Sequence, residues 1–509
     1  MSKFKIIIST FLGLVAIVFG VITSLIFIYQ PTLIVGITLV VLLYVLDIIL
    51  GYFIINSDWS SHAKTAWLFT IILFGFFGHA FFFMFGLETF RKRKKTKIAL
   101  QNVLNYNNKS VNLPQDLIYP FEYGKKILKR PICKNNDIKI IHDNTQIFFE
   151  SIKIIQQARY FINLQTFIFR WSSFWTKILF TELIKKANQG VKIRILYDSF
   201  GCFRKIHNKD FKVLTKYGIE VQKFNTLGIN IFKGTTNYRL HSKLLLVDNK
   251  IALYGGSNFA DEYLSMSKKK DWWVDYNVVV SGPIVSNMSQ TFIEYWCNYC
   301  HFANRHSLQN ILNDKKMLIS KNTFKKSDVQ MQLLSFSPNS NKFAFQKILV
   351  NAFLNAKKSI KIITPYFCPS ETIVNALLIA KQKNVEIEII VPSKNANFIK
   401  IMNRYTYRSL VQQHNTKIYE HDGFIHSKLY IIDDEYAFIG SCNLDYRSIF
   451  LTFESLLISN NKPFVSENIK FFNQQKDFSH LITKKILNEN LSKSHIVACK
   501  IMNLFKVLF

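Results

Sequence analysis

His241-Ser-Lys243-Leu-Leu-Leu-Val-Asp248 recurs further along the chain as His426-Ser-Lys428-Leu-Tyr-Ile-Ile-Asp433. Both stretches read H-x-K-x4-D. Each runs on into a glycine–asparagine turn, GGSN (Gly255 to Asn258) and GSCN (Gly440 to Asn443). A single match of this kind arises by chance, whereas two with matched downstream turns mark an internal duplication. Each motif opens an apolar run, Leu244 to Val247 and Leu429 to Ile432, of the kind that forms a buried strand. A strand's period of two puts His241 and Lys243 on one face, and likewise His426 and Lys428. The aspartate, seven residues past its histidine, falls on the other face by parity and is better placed to brace the fold than to touch the imidazole.

Outward from the motifs, the repeat extends to whole lobes. In the first copy a helical pattern (about Gln146 to Gln157) leads into a strand, Tyr160 to Phe169. A second helix, Trp175 to Asn188, then precedes the strand Gly190 to Asp198. In the second copy the series is a helix Ala344 to Lys357, a strand Ser359 to Cys368, a helix Glu371 to Gln382 and a strand Val385 to Ser393. Alternating β and α elements predict sheets covered by helices. We expect two α/β/α sandwich lobes, 137–310 (motif region 237–264) and 329–509 (motif region 420–447), joined by a polar linker, 311–328. They should be related by a pseudo-twofold axis, with His241 and His426 facing each other.

The first part of the chain is a different material. Ile6 to Tyr29, Thr32 to Ile55 and Ala66 to Gly86 are apolar runs, the second interrupted by Asp47. Each is long enough as a helix to cross a hydrocarbon core of roughly 30 Å. The expectation is three transmembrane helices in an anchor, 1–96, and a linker, 97–136. Arg91-Lys-Arg-Lys-Lys95 follows the third run, which places the lobes on the cytoplasmic side of a multi-pass cell-membrane protein. Asp47 within a span is a functional candidate with His79 as its possible partner. The terminal stretch His495 to Phe509 reads equally as an interfacial segment or a buried helix.

Net charge is +32, from 65 Lys+Arg against 33 Asp+Glu, which suits a polyanion or an anionic membrane surface. Seven scattered cysteines suit a reducing compartment. Cys297-Asn-Tyr-Cys300-His301 spells a haem-attachment pattern, but it closes an amphipathic helical pattern and no second ligand pair at metal spacing appears. No metal and no cofactor are expected.

A duplicated His/Lys set suits phosphodiester transfer without a metal. A neutral imidazole attacks phosphorus and splits one hard step into two. A second imidazole protonates the leaving oxygen, and two ammonium groups offset charge on the phosphate oxygens. The expected catalytic set is His241, Lys243, Asp248, His426, Lys428 and Asp433. Each histidine also needs an acid to fix its tautomer. Asp275 is the candidate for His241 and Glu454 for His426, each just ahead of an apolar strand. Ser257, Asn258, Ser441 and Asn443 of the turns are supporting residues.

These motifs resemble the phospholipase D superfamily and, within it, the bacterial cardiolipin synthases. Asn237 to Leu264 is similar to that family's first motif region, and Gly423 to Glu454 to its second, including LDYRS. ITPYFCPSE (Ile363 to Glu371) and AKTAWLFTIILFGFFGHAFFFMFG (Ala63 to Gly86) extend the likeness over nearly the whole chain. Two positions depart from the pattern: Gly75 stands where a proline is usual, and Gln165 where a glutamate is usual. The resemblance implies transphosphatidylation. One phosphatidylglycerol donates its phosphatidyl group to a histidine, the first motif's His241 by preference, and a second accepts it, giving cardiolipin and glycerol. The implied partners are phosphatidylglycerol and anionic membrane lipids, with no nucleic acid; the oligomeric state is not legible. Water or serine as acceptor would make the chain a hydrolytic phospholipase D or a phosphatidylserine synthase, and a superfamily nuclease is a second alternative.

Overall fold

The computed structural model describes residues 33–57, 59, 61–86, 120–203, 208–225, 238–266, 272–299, 326–338, 343–411 and 416–505. The first apolar run, the 97–119 part of the linker, Cys300 and His301, and the 311–325 stretch lie outside them, as does the end of the terminal segment. The chain divides into two compact units, one holding the N-terminal apolar helices and the other both α/β lobes.

In the first unit, helices Leu33–Asn56 and Ser61–Phe81 contain two stretches long and apolar enough to cross a membrane, Gly36–Asn56 and Ala63–Phe81. They close on each other through Leu50, Ile54, Trp67, Ile71 and Phe82. Ile72, Leu73, Phe74, Phe76 and Phe77 stay exposed on the second helix, as side chains solvated by lipid would. Gly75 breaks this helix at φ +48°, ψ −124°, a region that glycine enters without steric cost. Its carbonyl accepts a hydrogen bond from His79 Nδ1 at 2.7 Å. His79 Nε2 then lies 2.9 Å from Asp47 Oδ1. The acid within the apolar run thus has the partner that the sequence offered.

The lobes carry two sheets of matching order. In the first lobe we label β1 (Asp137–Ile141), β2 (Phe161–Thr166), β3 (Lys192–Asp198), β4 (Glu220–Phe224), β5 (Lys243–Val247), β6 (Ile251–Gly255) and β7 (Asn277–Ser281). Their order is β1-β7-β6-β5-β2-β3-β4, with β2, β3 and β4 parallel and the rest antiparallel. The second lobe contributes β8 (Met331–Phe336), β9 (Ser359–Ile363), β10 (Glu386–Pro392), β11 (Thr416–His421), β12 (Leu429–Ile432), β13 (Tyr436–Gly440) and β14 (Thr452–Ser459). These stand in the order β8-β14-β13-β12-β9-β10-β11, again with the last three parallel. Ile132–Cys133, within the stretch read as a linker, adds an edge strand to β8 of the second lobe, and Phe121–Leu128 ahead of it is a helix. Outer cores lie under the helices of each lobe, around Leu179, Ile195 and Leu245 in the first and Ile348, Ile389 and Tyr430 in the second. A third core is shared, where Leu246, Phe292 and Trp296 of the first lobe meet Leu333, Ile431 and Leu457 of the second.

Asp248 and Asp433 correct the expected catalytic set. Both sit at positive φ, +54° and +56°, in the turns that close the β5–β6 and β12–β13 hairpins. Asp248 accepts hydrogen bonds from the backbone N–H groups of Arg159, Tyr160 and Phe161 at 2.8, 2.9 and 2.7 Å. Asp433 accepts from Lys357, Lys358 and Ser359 at 2.9, 2.7 and 3.1 Å. Because β5 and β12 separate each aspartate from its histidine, the carboxylates end up at the far ends of those strands. They pin the hairpins to the start of β2 and β9 and do not touch the imidazoles.

Asp248→Ala removes the acceptor of three backbone donors, each costing roughly 1–3 kcal/mol when left unpaired. It also puts alanine in the left-handed region, at a further ~1 kcal/mol. Thermal unfolding of the purified protein should show a fall in Tm of several degrees, less for Asp248→Asn, whose amide oxygen still accepts. An unchanged midpoint in the alanine variant would contradict the bracing role.

Candidate active site

Two short parallel pairings between the lobes build the site. Arg239–Leu240, just ahead of His241, pairs with Thr452 and Phe453, just ahead of Glu454. Phe424–Ile425, just ahead of His426, pairs with Trp273–Val274, just ahead of Asp275. His241 N donates to Phe453 O at 2.9 Å and His426 N to Val274 O at 2.7 Å. Each histidine is therefore seated on a strand of the other lobe. Phe453 fixes the first junction, buried against Phe224 and Tyr295 with ring centroids at 4.8 and 5.3 Å; such a side chain contributes about 1.5–3 kcal/mol on burial.

The consequence reverses an expectation. His241 Nδ1–H donates to Glu454 Oε1 at 2.8 Å, and His426 Nδ1–H to Asp275 Oδ2 at 2.8 Å. The two acids read from the sequence are the partners, but each serves the histidine of the other lobe. The sequence reading paired them by distance along the chain, and the interlobe strand pairings reverse that choice. A carboxylate on Nδ1 fixes the tautomer with its lone pair on Nε2, the form that attacks phosphorus.

Burial, with Lys243 and Lys428 close by, pushes His241 down to about 4 despite Glu454. Burial, then Lys428, pushes His426 down to about 3 despite Asp275. Both imidazoles are neutral at physiological pH. Burial alone would raise both carboxyls. The histidine, the lysine and the hydrogen bonds around each outweigh it, so Asp275 and Glu454 stay below the usual range and ionised. Burial lowers Lys243 to about 7 and Lys428 to about 8. Lys428 Nζ lies 2.8 and 3.0 Å from the ring nitrogens of His426, and Lys243 Nζ donates to the His241 carbonyl. Each histidine feels both lysines, so the two motifs form one electrostatic site.

The turn residues differ in what they touch. Asn258 Oδ1 accepts from Phe167 N and Ile168 N at 3.2 and 3.1 Å, and its Nδ2 donates to Tyr263 Oη. Ser257 Oγ accepts from Asn277 Nδ2 at 2.6 Å. Asn443 N donates to Ser448 Oγ at 3.2 Å. Ser441 Oγ donates to Glu454 Oε2 at 2.5 Å. Gln165, the departure from glutamate, is buried behind the first motif and donates to Ser242 Oγ at 2.5 Å.

Several site residues escaped the sequence reading. Ser448 and Thr452 donate to Glu454 Oε1 at 2.9 and 2.8 Å. Tyr263 and Trp273 pack on the His426 ring at 5.6 and 5.0 Å. Asp198, fully buried, accepts from Leu240 N at 2.9 Å and from Phe200 N and Gly201 N at 2.8 and 2.9 Å, tying the end of β3 to the residue before His241. Comparing the two copies position by position past the turns would have brought Tyr263, Ser448, Trp273 and Thr452 forward.

A family profile described as "Cardiolipin synthase, PLD-like domain" matches residues 151–296 and 349–476. Cardiolipin synthase 1 of Bacillus anthracis is 26% identical over 442 residues, covering 85% of this chain and 86% of that protein. The major cardiolipin synthase ClsA of Bacillus subtilis is 29% identical over 432 residues, covering 81% and 87%. Among solved structures, phosphatidylserine synthase of Haemophilus influenzae superposes with a TM-score of 0.57 at 15% identity, over 75% of this chain and 99% of that one; at this identity the likeness is one of fold.

The crossed pairs make two predictions. Each lobe expressed alone lacks the carboxylate of its own histidine and should be inactive; full turnover by one lobe would refute the arrangement. Neutral His241 requires a pH above about 4, and charged Lys243 and Lys428 a pH below about 7 and 8. A plot of kcat/KM, which reports the free enzyme, should therefore fall as the pH rises through 7 to 8, where the lysines lose their charge. A flat profile to pH 9 would show that the lysines do not act as charged groups.

Proposed function

Since this chain belongs to the cardiolipin synthase family of phospholipase D-like proteins, we propose that its crossed His–carboxylate pairs pass a phosphatidyl group between two phosphatidylglycerol molecules through a phosphohistidine. The protein is a phosphatidyltransferase of phospholipid synthesis, a cardiolipin synthase. The observation that carries the mechanism is that each imidazole has its Nδ1–H on a buried carboxylate, which leaves Nε2 as the nitrogen that meets the substrate.

His241 Nε2 attacks phosphorus, forming a P–N bond as the P–O bond to the head-group glycerol breaks. His426 takes a proton from solvent onto Nε2 as the phosphodiester anion binds and offsets the charge of Lys428, and gives that proton to the departing oxygen. It then takes a proton from the free glycerol hydroxyl of a second phosphatidylglycerol. That oxygen displaces His241 and re-forms a P–O bond, giving cardiolipin. Lys243 and Lys428 hold the phosphate oxygens and supply the positive charge that the equatorial oxygens gather. His241 takes the attacking role in keeping with the superfamily, where the first motif supplies the nucleophile.

The matching strand orders support a pseudo-twofold relation between lobes 137–310 and 329–509. The apolar helices support a multi-pass anchor, and the length and composition of the run Ile6 to Tyr29 in the sequence support a third span. The basic cluster Arg91 to Lys95 puts the lobes on the cytoplasmic side. An anchored site meets its lipid substrate at the interface.

Incubation with phosphatidylglycerol alone should yield cardiolipin and free glycerol in equal amounts, in the presence of EDTA as in its absence. Phosphatidic acid as the main product would mean that water is the acceptor; recovery of EDTA-treated enzyme only by a specific divalent ion would contradict the role of the lysines. His241→Ala and His426→Ala should each lower turnover by at least roughly 10²–10⁴-fold. With a p-nitrophenyl leaving group His426→Ala should still form the adduct and His241→Ala should not. Mass-spectrometric mapping of the phosphatidyl group to His426 would reverse the assignment.

A further inference from the structure

The two His–carboxylate pairs are built from repeated positions, yet their surroundings differ at three of them. Gly440-Ser441 in the second turn answers to Gly255-Gly256 in the first. Ser448 follows Asn443 at the spacing by which Tyr263 follows Asn258. Thr452 and Trp273 hold the same place in the interlobe pairings, opposite Arg239 and Phe424. At all three positions the Glu454 side carries a hydroxyl, and that hydroxyl donates to the carboxylate, at 2.5, 2.9 and 2.8 Å. Ser441 Oγ and Ser448 Oγ in turn accept the backbone N–H groups of Ser455 and Asn443 at 3.1 and 3.2 Å, and Ser441 Oγ lies nearer to Glu454 than to the Ser455 carbonyl, which is 3.4 Å away. Thr452 Oγ1 also lies 3.2 Å from the Arg447 carbonyl.

Around Asp275 the same positions carry a glycine and two aromatic rings. Gly256 lies so close that a Cβ there would meet Asp275 Oδ1 at 2.4 Å, so no side chain can stand where Ser441 does without displacing it. Tyr263 and Trp273 wall the His426 ring. Apart from His426, Asp275 accepts only the Tyr276 N–H, at 2.8 Å, among the described residues.

We propose that Ser441, Ser448 and Thr452 are positioning residues that weaken the hold of Glu454 on a proton at His241, while Asp275, beside a glycine and two rings, keeps its full pull on His426. The inference rests on the two-histidine transfer set out above and names the residues that divide its labour. Hydroxyl donors spread the negative charge of Glu454, so it favours an imidazolium at His241 less than a bare carboxylate would. His241 keeps its lone pair for phosphorus, and is the more open of the two, 14% exposed against 7%. Asp275 keeps its charge for His426. Lys428 against the His426 ring opposes that proton in the free enzyme. A phosphodiester anion entering between the lysines takes up the ammonium charge, so that His426 takes a proton from solvent and Asp275 holds it there. Ser441, Ser448 and Thr452 are on this account positioning residues acting through Glu454.

The test is the pH dependence of the burst of p-nitrophenol released from a p-nitrophenyl phosphatidyl ester by the full-length protein, a step that needs neutral His241 and no proton donor. The charged and titratable groups facing the pair are Lys243 and Lys428 at His241, and Lys243, Lys428, Asp445, Cys442, Tyr254 and Tyr430 around Glu454; all stay in place in the variants. Ser448→Ala and Thr452→Val should each move the acid limb upward by roughly half to one pH unit, the scale on which hydrogen bonds to the charged form shift a carboxylate. Ser448→Thr and Thr452→Ser keep the hydroxyl and should leave the limb at its wild-type position. Each pair is an independent test should one variant fold poorly. Limbs unmoved in both hydroxyl-free variants, or moved equally in the conservative ones, would overturn the inference. Failure of the two-histidine reading itself looks different: His241→Ala would still form the adduct, whatever the limbs do.

Discussion

Everything at the centre of this protein depends on two short parallel strand pairings between the lobes. They are only two residues long on each side, yet they decide which carboxylate meets which histidine. A pair so short has little stability of its own. It is held because Phe453, Leu240, Ile425 and Tyr276 lie in the apolar core that both sheets share. Packing of ordinary hydrophobic side chains thus sets the distance of a hydrogen bond on which the chemistry turns.

Burial then acts in two directions at once. It strips water from both imidazoles and keeps them neutral, and it brings both lysines toward losing their protons. The carboxylates resist the same burial because each has a histidine, a lysine and further donors in reach. A buried ionised acid without such partners would cost several kcal/mol; here the donors that stabilise it are also those that orient the reacting rings. The anionic substrate completes the balance by giving the lysines a partner of opposite sign.

The fold was largely legible in the sequence. The doubled motif, the apolar runs behind it and the alternation of β and α gave the central strands β2, β3 and β5 of the first sheet and β9, β10 and β12 of the second within a few residues, because buried strands and amphipathic helices leave strong periodic signals. The membership of the histidine and lysine set was legible for the same reason. The pairing of Asp275 and Glu454 was not. Distance along the chain said that each acid served its own lobe, and nothing local in DWWVDY or LTFES records a strand pairing with a remote segment. Asp248 and Asp433 show the opposite case. Parity alone placed them away from the imidazoles, and motif membership alone listed them with the catalytic set; the positive-φ turns and their three backbone donors settle the matter for parity. Ser448 and Thr452 gave no signal as single residues, since a serine or threonine near a turn is commonplace.

The exchange of carboxylates also bears on how such a site can change over generations. If two identical chains exchanged acids in this way, every substitution would strike both histidines alike, and their surroundings would stay equal. One chain that carries both copies is free of that tie. Gly256 and Ser441, Tyr263 and Ser448, Trp273 and Thr452 occupy matching places and yet hold different residues. Duplication within a single gene lets a symmetric scaffold acquire unlike halves, which is what the proposed division of roles between the two histidines requires.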